Sequence, residues 1–252
     1  MLPRVVAASR SAAASAANVA TRASSTQTQN LDPVQEALLA EQCILVNERD
    51  HAVGQASKRE CHKLDAKGRA PLHRAFSLFV FNSRDELLMQ RRSDAKITFP
   101  GLWTNTCCSH PLAVDGETEK SDGRGAKRAA QRRIVDELGV PADQCRPEDM
   151  TYLTRILYSA ASEGGEWGEH ELDYILFLRG DVDVSANPNE VQDTCYVKKG
   201  ELDEFLRQCA ADGVGITPWF ELIARSMLPV WWDNLDKLDE YKEHEKILKF
   251  SK

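Results

Sequence analysis

The segment Asn105-Thr106-Cys107-Cys108-Ser109-His110-Pro111 sets a thiol and an imidazole two positions apart, directly after an apolar stretch containing Trp103. On an extended strand, residues i and i+2 share a face. Cys108 and His110 are therefore expected to look into one pocket, while Cys107 points away from it and serves the structure. A cation or metal beside Cys108 would lower its pKa and make a thiolate available, so Cys108 is a candidate catalytic group. The bland alternative is a pair of buried cysteines acting as small apolar residues, and these seven residues alone do not separate the two.

Other groups along the chain match the same chemistry. His62 stands in Lys58-Arg59-Glu60-Cys61-His62, His73 in Leu72-His73-Arg74-Ala75-Phe76-Ser77, and Glu169 and Glu171 flank His170. The spacing of the two carboxylates aims both to one side of a strand. Together with His110 they would supply three imidazoles and two carboxylates to a divalent metal, with Zn, Mn and Mg all compatible with mixed nitrogen and oxygen ligands. Taken singly, each histidine is more often a hydrogen-bonded surface residue than a ligand. Only an architecture can bring them together.

The elements that must do so are legible in outline. Asp32-Pro33 opens a short helix through Ala40, followed by a strand at Cys43–Val46. Ala75–Phe81 is a nearly continuous apolar run suited to a buried strand, and Asn82-Ser83-Arg84-Asp85 turns it into Leu87–Met89. Pro100-Gly101 precedes an expected strand at Trp103–His110, and residues 115–125 read as a loop. Ala126, Ala130, Ile134 and Leu138 then recur at helical spacing before Gly139 and Pro141. Strands are expected at Tyr152–Tyr158 and Leu172–Leu178 around a turn at Ser162-Glu163-Gly164-Gly165, helices at Lys199–Ala210 and Pro218–Trp231, and a charged helical tail from Asp233. A mixed sheet with helices inserted among the strands is an α/β layered sandwich. Glycine spacing for a dinucleotide or Walker phosphate loop is absent.

Composition bounds the class. The 252 residues are 42% hydrophobic with a formal charge of -7, which argues against a general nucleic-acid scaffold while leaving room for a local basic cluster. No apolar run approaches the roughly 20 residues of a membrane-spanning helix, so a soluble chain without a membrane partner is expected. The 7 cysteines are irregularly spaced with no CxxC pair, as expected in a reducing compartment. Residues 1–30 lack Asp and Glu and carry Arg4, Arg10 and Arg22 among Ala, Ser and Thr. This reads as a disordered transit peptide for a mitochondrion or plastid, with residues 31–252 as a single domain. A low-complexity tail on a cytoplasmic protein is the alternative.

The ordered set Leu72-His73-Arg74-Ala75-Phe76-Ser77, Gln90-Arg91-Arg92-Ser93 with Lys96, Phe99-Pro100-Gly101, Thr104 to Pro111, Gly168-Glu169-His170-Glu171 and Thr217-Pro218-Trp219 resembles the type I isopentenyl-diphosphate Δ-isomerases. The resemblance spans residues 42 to about 245 and is nearest to the eukaryotic branch, with its double cysteine and the Trp231-Trp232-Asp233-Asn234-Leu235 ending. It implies a Nudix-like α/β/α sandwich with a mixed sheet, C-terminal helices, and interconversion of isopentenyl and dimethylallyl diphosphate in isoprenoid biosynthesis.

By the same resemblance, Cys108 and Glu171 are the catalytic pair, with Tyr158 hydrogen-bonded to Glu171. Lys58, Arg92 and Lys96 contact the diphosphate, with Arg91 adjacent, and Trp219 faces the cationic carbon through its ring. His62, His73, His110, Glu169 and Glu171 hold one divalent metal, and Glu137 carries a Mg2+ bridging the diphosphate. A Nudix-type diphosphate hydrolase is the second enzyme reading, and a noncatalytic metal-binding module the third. In the helix Arg132-Arg133-Ile134-Val135-Asp136-Glu137-Leu138-Gly139-Val140, however, Arg133 and Asp136 stand where hydrolases place glutamates. The missing carboxylates are those that would hold water-activating metals.

Overall fold

The computed structural model describes residues 32–162 and 164–250. The suggested transit peptide lies outside the described residues. In chain order the elements are α1 (Pro33–Leu38), β1 (Gln42–Val46), β2 (Ala52–Ser57), α2 (Lys58–His62), β3 (His73–Phe81), β4 (Leu87–Arg92), β5 (Trp103–Thr104), β6 (Cys107–Ser109) and α3 (Arg124–Leu138). They continue with β7 (Thr151–Ala161), β8 (Gly168–Arg179), β9 (Val191–Val197), α4 (Leu202–Ala211), α5 (Pro218–Ser226), α6 (Leu228–Asp233) and β10 (Ile247–Lys249), joined by short 3-10 turns. Among the described residues, no helix is long and apolar enough to cross a membrane.

The sheet is mixed. Its main path runs β10-β7-β8-β3-β1-β2, and β3 also pairs with β4 and β6 while β4 pairs with β5 and β9. The β3–β8 and β7–β10 pairs are parallel and the others antiparallel. Because β3 and β8 are covered on both faces, the stretches Leu78–Phe81 and Tyr174–Leu178 are wholly apolar or aromatic. Alternate residues serve two cores: Phe76, Leu78, Val80, Leu172, Tyr174 and Leu176 pack with Ala126, Ala130, Ile134 and Leu138 of α3. Phe79, Phe81, Ile175 and Phe177 pack with Trp219, Phe220, Ile223 and Trp232 of α5 and α6 on the other side. Burying side chains of this size contributes roughly 1.5–3 kcal/mol each, so both helical layers are held firmly to the sheet.

Two glycines are required by close approach. A Cβ on Gly125 would lie 2.1 Å from the Glu117 carbonyl oxygen, so the loop can cross the start of α3 only over a bare Cα. Gly139 ends α3 with φ +63 and its amide donates to Val135, the left-handed cap that glycine favours.

Several elements depart from the sequence-based expectations. The strand expected over Trp103–His110 is split, because Asn105 and Thr106 satisfy neighbouring strands with side chains instead of continuing the ladder. Asn105 Nδ2 donates to Leu78 and Cys107 carbonyls, and Thr106 Oγ1 donates to Leu88 and accepts from the Val80 amide. The helix expected over Pro218–Trp231 breaks at Met227 (φ -120), two residues before Pro229, which lacks the amide donor a continuing helix would need there. The charged tail is not a long helix: a 3-10 segment, Leu235–Tyr241, kinks at Lys237, and Ile247–Lys249 joins the sheet beside Arg155–Leu157. Strands β2 and β9 and helix α2 were not anticipated. Both β2 and β9 carry largely exposed or half-buried residues, which blurs the apolar alternation that marks a strand.

Candidate active site

Helix α2 exists because Ser57 and Glu60 form a reciprocal cap: the Ser57 hydroxyl accepts from the Glu60 amide while the Glu60 carboxylate accepts from the Ser57 amide. The Ser57-x-x-Glu60 spacing was the available signal for it. This single turn carries Lys58 at one end and His62 at the other. His62 Nδ1 lies 2.7 Å from the Lys58 carbonyl oxygen, to which it donates, leaving Nε2 free to face the carboxylates.

Strand register brings in the rest. Glu171 lies opposite Tyr158 on β7 and beside His73 on β3, while Ser77 of β3 lies opposite Cys108 of β6. The side chains of Glu169 and Glu171 thus share one face, and His170 turns away to the Ala70 carbonyl. The three imidazole rings of His62, His73 and His110 stand 4.8–4.9 Å apart. With Glu169 and Glu171 they form a buried group whose ligating atoms all lie within 4.8 Å of one another.

The donor set fits a divalent cation on the evidence of its own atoms. Glu169 Oε2 is 2.9 Å from His62 Nε2 and Glu171 Oε1 is 3.5 Å from His73 Nε2, yet Glu169 Oε2, His73 Nε2 and His110 Nδ1 are buried without a hydrogen-bond partner. Buried polar atoms in such numbers are rare unless an ion or water serves them. Among protein groups alone, burial disfavours charge on His73, but the Glu171 carboxylate outweighs it and raises the ring to about 9. Burial holds His110 well below its ordinary value. Burial works against ionisation of Glu171 as well, and hydrogen bonds from His110 and His73 reverse this and keep its carboxyl well below the usual range.

Cys108, Glu171, Tyr158, Trp219, Lys58, Arg92 and Lys96 all line one cavity together with His62, His110 and Glu169. The Tyr158 hydroxyl donates to Glu171 Oε2. Trp219 is fixed by its Nε1, which donates to Asn105 Oδ1 at 3.1 Å, and the Arg92 guanidinium stands 5.6 Å from the centre of its ring. A wider groove of about 950 Å³ touches Glu169 from the far side, but it is lined by Leu64, Pro71 and their neighbours and holds neither Cys108 nor Trp219.

Among protein groups alone, the surroundings of Cys108 favour the neutral thiol. Burial pushes the thiol up to about 12, and although the Arg92 guanidinium acts the other way, the Glu137 and Glu171 carboxylates add to the rise. Arg92 Nη1 lies 3.9 Å from the sulfur, too distant to offset the lost hydration. Cys107 points to the α3 side, as anticipated, where its thiol faces Glu137.

Glu137 is placed apart from the five-residue group. Its carboxylate accepts from Arg133 at 2.7 Å and Gln90 at 3.1 Å and lies 3.7 Å from the Lys96 ammonium. Burial opposes its ionisation, but Lys96 and Arg133 hold it low. Lys96 also pairs with Glu190, which accepts from Arg133 and Gln35. Of the residues around the cavity, Ser77, Asn105 and Asp173 escaped sequence reasoning. Asp173 continues the Glu169, Glu171 alternation on β8, and Ser77 Oγ donates to it at 2.7 Å. That period of two was the legible sign.

Residues 71–220 match the NUDIX domain family. The chain is 52% identical over 220 residues to "Isopentenyl-diphosphate Delta-isomerase 1" of Mesocricetus auratus, covering 87% of this chain and 96% of that protein. It is 48% identical over 211 residues to the Cannabis sativa protein named "Isopentenyl-diphosphate Delta-isomerase 1, chloroplastic", covering 82% and 73%. The solved structure of DR0079 from Deinococcus radiodurans shares the fold at TM-score 0.52 and 22% identity, covering 74% of this chain and 99% of that one. With these matches on the sandwich just described, the chain belongs to the isopentenyl-diphosphate Δ-isomerase family within the Nudix fold.

Proposed function

We propose that the chain interconverts isopentenyl diphosphate and dimethylallyl diphosphate, and that Cys108 and Glu171 carry the two proton transfers. The observation that carries this reading is that both groups line one cavity whose remaining walls offer an aromatic ring, Trp219, and three cations, Lys58, Arg92 and Lys96. An unactivated alkene is a weak base, so the reaction needs a positioned acid, stabilisation of a tertiary cation, and a base on the other side. Glu171, held by Tyr158, gives a proton to the terminal CH2 carbon. The double-bond electrons form the new C–H bond and leave a tertiary cation facing the Trp219 ring. Cys108, as the thiolate, then takes a proton from the neighbouring CH2 and becomes the neutral thiol, while the C–H electrons become the new double bond. The roles exchange in reverse, and the neutral thiol favoured by burial, with the Glu171 carboxylate kept ionised by His110 and His73, is the state poised for that direction.

His62, His73, His110, Glu169 and Glu171 would hold a divalent metal, which would supply positive charge beside Glu171 and fix its orientation. The mixed nitrogen and oxygen ligands suit Mg, Mn and Zn alike. Lys58, Arg92 and Lys96 bind the diphosphate, and Glu137 would hold a Mg2+ that accompanies it. Residues 1–30 are proposed as an organellar address, consistent with a relative named as chloroplastic. The hydrolase reading is disfavoured because Arg133, a buried cation paired with Glu137 and Glu190, occupies a position needed for a metal-binding carboxylate.

The test is to incubate the protein with isopentenyl diphosphate and Mg2+. Allylic isomer without phosphate release is expected, whereas released phosphate would identify a hydrolase. Cys108→Ala should lower isomerisation by at least about 10³-fold with folding and metal content retained. Substantial turnover by that variant removes the thiol from the mechanism.

A further inference from the structure

Phe99 is the one bulky residue beside the cavity whose backbone sits in the left-handed region, with φ +48. A large side chain rarely adopts this conformation, and such residues concentrate where a surrounding structure holds them for a purpose. Three contacts hold this one. Arg92 Nε donates to the Phe99 carbonyl at 3.0 Å, and Arg92 Nη2 donates to the Thr98 carbonyl at 2.8 Å. The Phe99 amide donates to Ser162 Oγ at 3.4 Å. The resulting turn swings the ring inward, where it is 6% exposed and meets Trp219 edge to face, with centroids 5.4 Å apart and planes at 84°.

The contacts form a closed circuit. Arg92 grips the Phe99 backbone, the Phe99 ring abuts the Trp219 indole, and the indole lies beneath the Arg92 guanidinium at 5.6 Å. Asn105 fixes the far edge of the indole through its Nε1. Without Phe99 the indole keeps its Nε1 bond to Asn105, the Arg92 guanidinium and a tilted contact with the Tyr158 ring at 6.4 Å, but loses the ring that abuts it edge to face and fixes its tilt.

We propose that Phe99 is a positioning residue that sets the plane of Trp219, so that the ring face rather than its edge meets the cationic carbon. This rests on the isomerase reading of the cavity. A cation is attracted to the negative face of an aromatic ring and repelled by its positive edge, so a tilt matters for the charged transition state and little for the neutral substrate. The side chain and the backbone of Phe99 also do separable work. Truncating the ring releases Trp219 but leaves the carbonyl that Arg92 holds, and diphosphate binding should persist.

Two probes test this with wild type, Phe99→Ala and Phe99→Trp, each screened by thermal melting: inorganic diphosphate, and a diphosphate ester carrying a tertiary ammonium where the cationic carbon would lie. Phe99→Ala should bind the ammonium ester about fivefold more weakly and bind inorganic diphosphate within about twofold of wild type. Its kcat should fall by a similar factor with KM little changed, and Phe99→Trp, which restores an aromatic edge, should recover both. A parallel loss for both probes would mean a collapsed pocket and overturn the proposal, as would a Phe99→Ala variant that keeps full preference for the ammonium ester. A wild-type enzyme with no preference for that ester would instead sink the isomerase reading and this proposal with it.

Discussion

Two buried charged clusters lie on opposite faces of the same sheet and are built to different ends. On the α3 side, Asp50 is fully buried and every oxygen of its carboxylate is used. Oδ1 accepts from Arg74 Nε and Nη2 at 2.9 and 2.8 Å, and Oδ2 accepts from Arg155 at 3.0 Å and from the Tyr174 hydroxyl. On the other side, the imidazoles and carboxylates around Glu171 leave three buried atoms without partners. Both clusters lock distant strands together. The first spends both carboxylate oxygens on cations and a hydroxyl, its one orphan being a donor, Arg155 Nε, whereas the second carries unpartnered acceptors that an added cation can satisfy. What separates a structural node from a reaction site here is unmet demand, not burial or charge.

The sharpest way to break this contrast is to neutralise each centre in turn. Glu171→Gln should cost at least about 10³ in turnover while changing the melting temperature little, since the glutamine carbonyl can still accept from Tyr158 and its amide can still pair with His110. Asp50→Asn should do the reverse, costing about 3–5 kcal/mol of stability because two guanidiniums lose their carboxylate, with turnover per folded molecule preserved. Urea titration and steady-state rates on both variants decide it, and a collapse of activity in folded Asp50→Asn would erase the distinction.

Acidity sharpens it further. Burial opposes the ionisation of Asp50, but the Arg74 charge and the Tyr174 hydrogen bond hold its carboxyl below the usual range. A depressed pKa gives stability that is complete above the unfolded value of about 3.9 and fades as pH falls through the lower folded value. The stability gap between wild type and Asp50→Asn should therefore be widest near neutrality and shrink below about pH 4. A gap independent of pH would show that packing, and not charge, is what Asn fails to replace. The smallest effect expected is for Ser57→Ala, which removes one half of the α2 cap and should cost about 1 kcal/mol, with a weakened hold on metal because His62 rides on that turn.

The sequence disclosed the second cluster and concealed the first. Cys108, His110, Glu169 and Glu171 stand at i, i+2 spacing on strands, so their common direction follows from the pleat alone. The apolar runs of β3 and β8 and the periodicity of α3 were equally plain. Asp50 gave no sign, because its partners Arg74, Arg155 and Tyr174 lie on other strands and meet it only when the β7–β8 hairpin docks parallel to β3. The split between β5 and β6 was hidden for a related reason: Asn105 and Thr106 look like ordinary strand residues until their side chains are seen bonding to adjacent backbones. Local pattern reveals direction, while long-range pairing must wait for the fold.

Helix α2 is only five residues long, and it bears Lys58 and His62 less than one and a half turns apart. Anything that draws the imidazole toward a metal must also move the ammonium, and anything that draws the ammonium toward an anion must move the imidazole. Thermodynamic reciprocity then binds the two affinities: by whatever factor a bound cation improves capture of a phosphate ester through this turn, the ester improves retention of the cation by the same factor. An enzyme starved of metal should accordingly keep what little it has most tenaciously while substrate is plentiful.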